Sequence, residues 1–248
     1  MENELLFNKM ENKNVKGLRA VVIGATGSVG RDLVDILLGS DKYSLVVVPV
    51  RRTIDRWENL SKEKSDKLKI IKIEDLNILN EDKSKIQRVF DLDLQNFSSV
   101  FCCLGSRVNQ GEEMFTRVDY TYVMYSASLC KKFNIPHFSL VSSAGTNSSS
   151  WFLYLRVKGR VEDDLKKLDI SNLSIFKPGF IADRDNDSRC GEGFAKYFCC
   201  CFPNISSRNL ALGLYNESIS INNKSNNDVG LSRTYENSNI VELSRLNL

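Results

Sequence analysis

The stretch "VVIGATGSVGRDLV", residues 21–34, constrains the fold of this 248-residue chain more than any other. Gly24, Gly27 and Gly30 stand three apart, after a β-branched run and before apolar residues at helical intervals. A strand that turns straight into a helix over small residues is the start of a parallel β-α-β unit. Gly24 permits the tight turn, Gly27 keeps the backbone bare, and Gly30 lets the helix lie close to the strand.

The alternation continues along the chain. "YSLVVVPV", "LKIIKI", "SSVFCCLG", "HFSLVSS" and "LSIFKPG" read as further strands after "LRAVVIG", with helices over "GRDLVDILLGS", about 81–90, 113–133 and about 154–168. Strands apolar on both faces and separated by helices predict a doubly wound α/β fold around a mainly parallel sheet, of the Rossmann type. One domain spans 1–248, with 1–17 as an N-terminal lead and about 180–248 as a small C-terminal lobe on the substrate side. Within that lobe "SINNKSNNDVG" reads as an exposed loop and "NIVELSRLNL" as a closing helix.

Such a glycine turn, opening a helix whose N-terminus carries positive potential, is built to receive a dinucleotide pyrophosphate. Gly24, Thr26, Gly27, Ser28, Val29 and Gly30 are its candidate contacts. The end of the second strand selects between dinucleotides, because an acid there would bind the ribose 2′-hydroxyl of NAD. This chain has Arg51 and Arg52 instead, two guanidinium forks suited to a 2′-phosphate, so NADP(H) is the expected cofactor. Asp75 is placed to meet the adenine amino group or, equally, to be a solvated loop acid. Leu104 and Gly105 end the fourth strand where backbone passes close to a ribose.

Tyr154 and Lys158 lie one helical turn apart in "FLYLRVKGRVEDDL", after the serines of "LVSSAG". The ordinary pKa of tyrosine is about 10, so exchanging a proton at neutral pH calls for a neighbouring ammonium. Lys158 supplies one and can also hold the nicotinamide ribose. A serine hydroxyl would bind the substrate oxygen as charge develops on it. Ser143, nearer the strand's exit, is preferred over Ser142, and both remain candidates.

Taken together, the glycine motif, the Tyr-Lys pair and "KPG" at 177–179 resemble the short-chain dehydrogenase/reductase superfamily. "FCCLG", "RVDYTYV", "FLYLRVKGRVE", "SIFKPG" and "DSRCGE" are similar, in order, to its atypical branch that contains the HIV Tat-interacting protein oxidoreductase. The resemblance runs from about residue 10 to 203. It implies Tyr154 as acid/base with Lys158 as its partner, and cofactor contacts from Ser28, Arg51, Arg52, Leu104, Ile181 and Arg189. Lys177 stands where that pattern has Arg, and Cys190 where it has Pro.

Lys and Arg total 34 against 31 Asp and Glu, too even a balance to argue for nucleic acid as a partner. No apolar stretch has the length of a membrane span or the pattern of a secretory signal, and seven cysteines, an odd count with adjacent members, suit reduced thiols in a cytoplasm. Cys102 and Cys103 read as core thiols, "CCC" at 199–201 as packing at a helix end, and the lone histidine, His137, as structural, so no metal is expected. The sequence supports an NADPH-dependent reductase of a small carbonyl compound. A dinucleotide-binding regulatory protein acting through protein partners is the alternative, since the same fold serves both.

Overall fold

The computed structural model describes residues 17–183, 203–223, 231–246 and 248. Strand β1 (Leu18–Ile23) leads into α1 (Ser28–Gly39) and β2 (Tyr43–Val50), followed by the short helix α2 (Lys62–Lys67) and β3 (Leu68–Lys72). Helix α3 (Lys83–Phe90) precedes β4 (Ser99–Cys102). One continuous helical segment then holds α4 (Glu112–Thr116), a π turn (Arg117–Thr121) and α5 (Tyr122–Phe133). Strand β5 (His137–Val141), helix α6 (Leu153–Lys166) and strand β6 (Asn172–Lys177) follow. The C-terminal part comprises β7 (Phe180–Ile181), β8 (Asn204–Ile205), α7 (Ser207–Asn223), β9 (Leu231–Glu236) and α8 (Asn237–Ser244).

Seven strands form one parallel sheet in the order β3-β2-β1-β4-β5-β6-β9. Val21 is registered against Val47 on one side and Val100 on the other, which makes β1 an interior strand of the sheet. Alternate residues of each strand enter opposite layers. Val21, Ile23, Val47 and Val100 pack with Ile86 of α3 and Phe133 of α5; Ala20, Val22, Val46 and Val48 pack with Leu33 and Leu37 of α1 and Leu210 and Leu214 of α7. Burial on both faces is why these strands read as unbroken apolar runs. The strand order reverses between β1 and β4, and in sheets of this kind ligands bind outside the strand ends at that point.

Among the described residues the expected C-terminal lobe amounts to the two-stranded ribbon of β7 and β8. The other described residues of that segment, in α7, β9 and α8, belong to the main layers. Helix α7 lies against α1 and the start of β2, where Tyr215 and Ser40 share a hydrogen bond of 2.8 Å and Ser218 and Tyr43 another. It continues through Asn223, so the first residues of "SINNKSNNDVG" are helix, and not loop as their polarity suggested. Strand β9 pairs with β6 from Asn172↔Leu231 to Lys177↔Glu236 and stacks Tyr235 on Phe176, with ring centroids 4.9 Å apart. Its polar sequence suits an edge strand, which is why no strand was expected there.

Candidate active site

Gly24 has φ +81°, and a Cβ on it would stand 2.8 Å from the carbonyl carbon and oxygen of Cys103. A Cβ on Gly30 would overlap the carbonyl oxygen of Gly24, so α1 closes on the turn only because position 30 is bare, while the bare position 24 lets the chain after β4 pass. Gly27 differs from both. Its backbone is extended, and a Cβ there would touch only Gly24 O at an ordinary 3.5 Å. Among the described residues nothing requires glycine at 27; what it keeps open is the cavity it lines.

That cavity, about 470 Å³, lies over the strand reversal. Of the expected site residues, Thr26, Gly27, Ser28, Val29, Arg52, Leu104, Gly105, Tyr154 and Lys158 line it, and so does Ser142. The first turn of α1 has no acidic residue and no side-chain cap, which suits a phosphate at its N-terminus. The bare floor at Gly27, the open helix start and the cation at Arg52 fit a phosphate-bearing dinucleotide.

Other expected residues lie elsewhere. Arg51 is exposed and does not line the cavity. Asp75 is occupied by protein groups: it accepts the Asn77 N–H and the Tyr122 hydroxyl, each at 2.7 Å, and pairs with Arg117 at 3.0 Å. Desolvation would raise its carboxyl, but those hydrogen bonds and the charges of Arg117 and Arg51 hold it below the ordinary carboxylate range. Ile181 is buried in the α1/α7 layer, the Ser143 hydroxyl is directed at Ala144 O at 3.3 Å, and Arg189 falls outside the described residues. Ser142 is the buried one of the two serines because strand pairing continues past β5, where its N–H donates to Phe176 O at 2.7 Å.

Helix α6 brings Tyr154 and Lys158 to the same wall, the Lys158 ammonium 5.8 Å from the Tyr154 ring centroid. Phe115 braces that ring from behind at 5.7 Å between centroids. Lys158 is almost wholly buried and forms a 3.0 Å ion pair with Asp119, which is fully buried in the π turn. Burial alone would lower the Lys158 pKa, but the Asp119 carboxylate reverses this, and the amine titrates above the ordinary lysine range.

Behind Ser142 lies a second buried carboxylate. Glu162, one turn beyond Lys158, accepts the Ser142 hydroxyl in a short hydrogen bond and the Thr146 hydroxyl at 2.7 Å. Its other oxygen stands 3.7 Å from the Lys177 ammonium. The sequence reading missed Glu162; among the cavity-lining residues it missed Arg31, Ser106, Arg107, Asp119 and Val141, and it took Cys103 for a core thiol. Asp119 lies in "RVDYTYV" and Arg31 directly follows the last glycine, so adjacency to motif segments was the signal available.

Residues 24–193 match the model of a family described as NAD(P)H-binding. The rat protein HTATIP2 is 34% identical over 200 residues, covering 79% of this chain and 74% of that protein. The chain belongs to the NAD(P)H-binding family. Within it, this is an atypical short-chain dehydrogenase/reductase resembling the Tat-interacting protein, with an NAD(P)H-binding domain. A second family relative, the mitochondrial protein FMP52 of Candida albicans, is 31% identical over 71% of this chain and 72% of its own length. Among solved structures, MoeE5 in complex with UDP-glucose and NAD shares the fold at TM-score 0.63 and 14% identity, over 88% of this chain and 75% of that one. Among the described residues, no helix is long and apolar enough to cross a membrane, and no group of three or more His, Cys, Asp or Glu could hold a metal ion.

Proposed function

We propose that the protein is an NADPH-dependent reductase of a small carbonyl compound. The carrying observation is the convergence of Tyr154, Lys158 and the bare glycine turn on one cavity, with a guanidinium at the end of β2 where an NAD-selective site would have an acid. Arg52 would hold the 2′-phosphate, with Arg51 adding long-range charge from beside Asp75. Ser28 and Val29 would offer their N–H groups to the pyrophosphate over the bare Gly27, and Leu104 and Gly105 the wall for the ribose. Ile181 and Arg189 enter this proposal by family resemblance. Bound NADPH would supply the two reducing electrons.

The chain's own part is proton delivery and orientation. Tyr154 would give the proton of its hydroxyl to the carbonyl oxygen, with the Lys158 ammonium stabilising the phenolate left behind. A serine would hold that oxygen in place, either Ser142 in the cavity or Ser143 after a rotation of its hydroxyl. The place of action we propose is the cytoplasm, testable with a fluorescent fusion.

One observation favours a second reading, a dinucleotide-binding regulatory protein that works through protein partners with little turnover. Ser142 gives its only hydroxyl proton to Glu162, leaving none to offer a substrate oxygen. Replacing Tyr154 by Phe separates the readings. The reductase reading expects NADPH binding to persist while NADPH oxidation over a panel of aldehydes and ketones falls about 10²–10⁴-fold. A wild type that oxidises NADPH no faster with the panel than without it leaves the regulatory reading standing.

A further inference from the structure

Arg52 stands on a segment that has left the sheet. Pairing of β2 with β3 ends at Val50↔Lys72, and Arg51, Arg52 and Thr53 are exposed. A 3₁₀ turn (Asp55–Trp57) then brings the chain back to α1, with Ile54 and the buried Trp57 packed in the α1 layer. Between those two apolar anchors lies Arg56. Its Nε donates to Asp35 Oδ2 at 2.8 Å, its Nη2 meets the same oxygen in a short hydrogen bond, and that nitrogen stands 3.7 Å from Asp32 Oδ1.

Asp32 and Asp35 are one turn apart on α1, the helix whose first residues, Ser28 and Val29, line the cavity. Asp32 also accepts the Ser207 hydroxyl from the head of α7, which leaves Asp35 as the principal seat of the guanidinium. The fork therefore ties the segment that carries Arg52 to the helix that opens on the cavity. Only Thr53, Ile54 and Asp55 separate the two arginines, so freedom gained at Arg56 is passed on to Arg52. A guanidinium grips a phosphate through a planar fork of fixed geometry, and one carried on a loose segment must be ordered at each binding event, which lowers affinity.

We propose that Arg56 and Asp35 are positioning residues for cofactor choice: their ion pair holds the segment after β2 so that Arg52 is presented to the extra phosphate of NADP(H). The inference rests on the dinucleotide reading of the cavity. It adds a control of NADP(H) over NAD(H) by a pair that does not line the cavity and touches neither nucleotide in this scheme. An ion pair on the surface is worth little by itself, so the expected effects are small, and their sign is what decides.

The test compares Arg56→Ala with Asp35→Ala. A pair acting only through its field would weaken NADPH when the cation is removed and tighten it when the anion is removed. Positioning expects both variants to bind NADPH about threefold more weakly, with NADH changed by less than about 1.5-fold. The reversed pair, Arg56→Asp with Asp35→Arg, should recover most of the loss, and beside Arg52→Ala the Asp35→Ala change should cost no further NADPH affinity. Unchanged or tighter NADPH binding by Asp35→Ala, equal losses for NADPH and NADH, or the full loss beside Arg52→Ala overturns the inference. Amide exchange of the cofactor-free protein is the second readout: the Trp57 N–H, bonded to Ile54 O at 3.1 Å, should exchange at least about threefold faster in Asp35→Ala, and an unchanged rate overturns the holding role. A wild type that binds NADPH and NADH equally, or neither, refutes the reading of the cavity instead, while the cofactor-free exchange still decides whether the pair holds the segment.

Discussion

The Ser142 hydroxyl and the Glu162 carboxylate face each other across the base of the cavity, donor to acceptor, with Thr146 and Lys177 completing the shell around the acid. A serine has one proton to give, so its direction is fixed by Glu162 and not by a ligand. Replacing Glu162 by Gln offers Ser142 a donor and turns the serine proton outward. The KM for a carbonyl substrate should fall severalfold while unfolding stability drops by about 1–3 kcal/mol, because Lys177 loses a buried partner. Steady-state kinetics and thermal unfolding read the two effects, and an unchanged KM would mean that Ser142 never meets the substrate.

Gly30 and Gly27 should respond to the same substitution in opposite ways. Gly30→Ala drives a methyl into the Gly24 carbonyl and is expected to destabilise the fold by about 3 kcal/mol or more. Gly27→Ala meets only an ordinary contact, so it should unfold like the wild type yet bind NADPH at least tenfold more weakly, roughly 1.4 kcal/mol. Differential scanning fluorimetry with and without NADPH separates them.

The two arginines after β2 should prove unequal. Arg52 lines the cavity and Arg51 does not. Arg52→Ala should weaken NADPH by about tenfold or more while leaving NADH nearly unchanged, and Arg51→Ala should cost less than half that free energy. Titration of both nucleotides against both variants is the measurement; equal binding of NADPH and NADH by the wild type would remove the 2′-phosphate from the account.

His137 should make the protein sensitive to acid. Its ring is buried between Ser99 and Ser174, and burial, with the Arg233 charge, lowers its pKa from 6.5 to about 3. The unfolded chain therefore binds the proton that the native state refuses, and stability is lost as pH falls from about 6.5 toward about 3. Urea unfolding at pH 7.5 and 4.5 should show a larger drop for wild type than for His137→Asn, by about 1 kcal/mol or more.

The sheet and glycine turn were legible because each strand is buried on both faces, which leaves a composition that loops and surface helices do not share. Strand β9 was not, since an edge strand carries polar residues and here buries little beyond Tyr235. Tyr154 and Lys158 could be paired because one helix holds both. Asp119 and Glu162 escaped because their roles depend on partners from other elements, and periodicity carries no record of which distant side chain faces a given acid. The choice between Ser142 and Ser143 turned on how far the pairing of β5 with β6 extends, and element ends are where sequence patterns are weakest.

The π turn at Arg117–Thr121 has a consequence for homologous chains of slightly different length. Its wide i→i+5 loop houses one residue more than an α-helical path would. Deleting a single residue there would let the helix rewind to the α path with the turns on either side still in register, so only the side chains of the bulge itself would be redirected. The helix would survive such an edit, but the aspartate would no longer point where the lysine is.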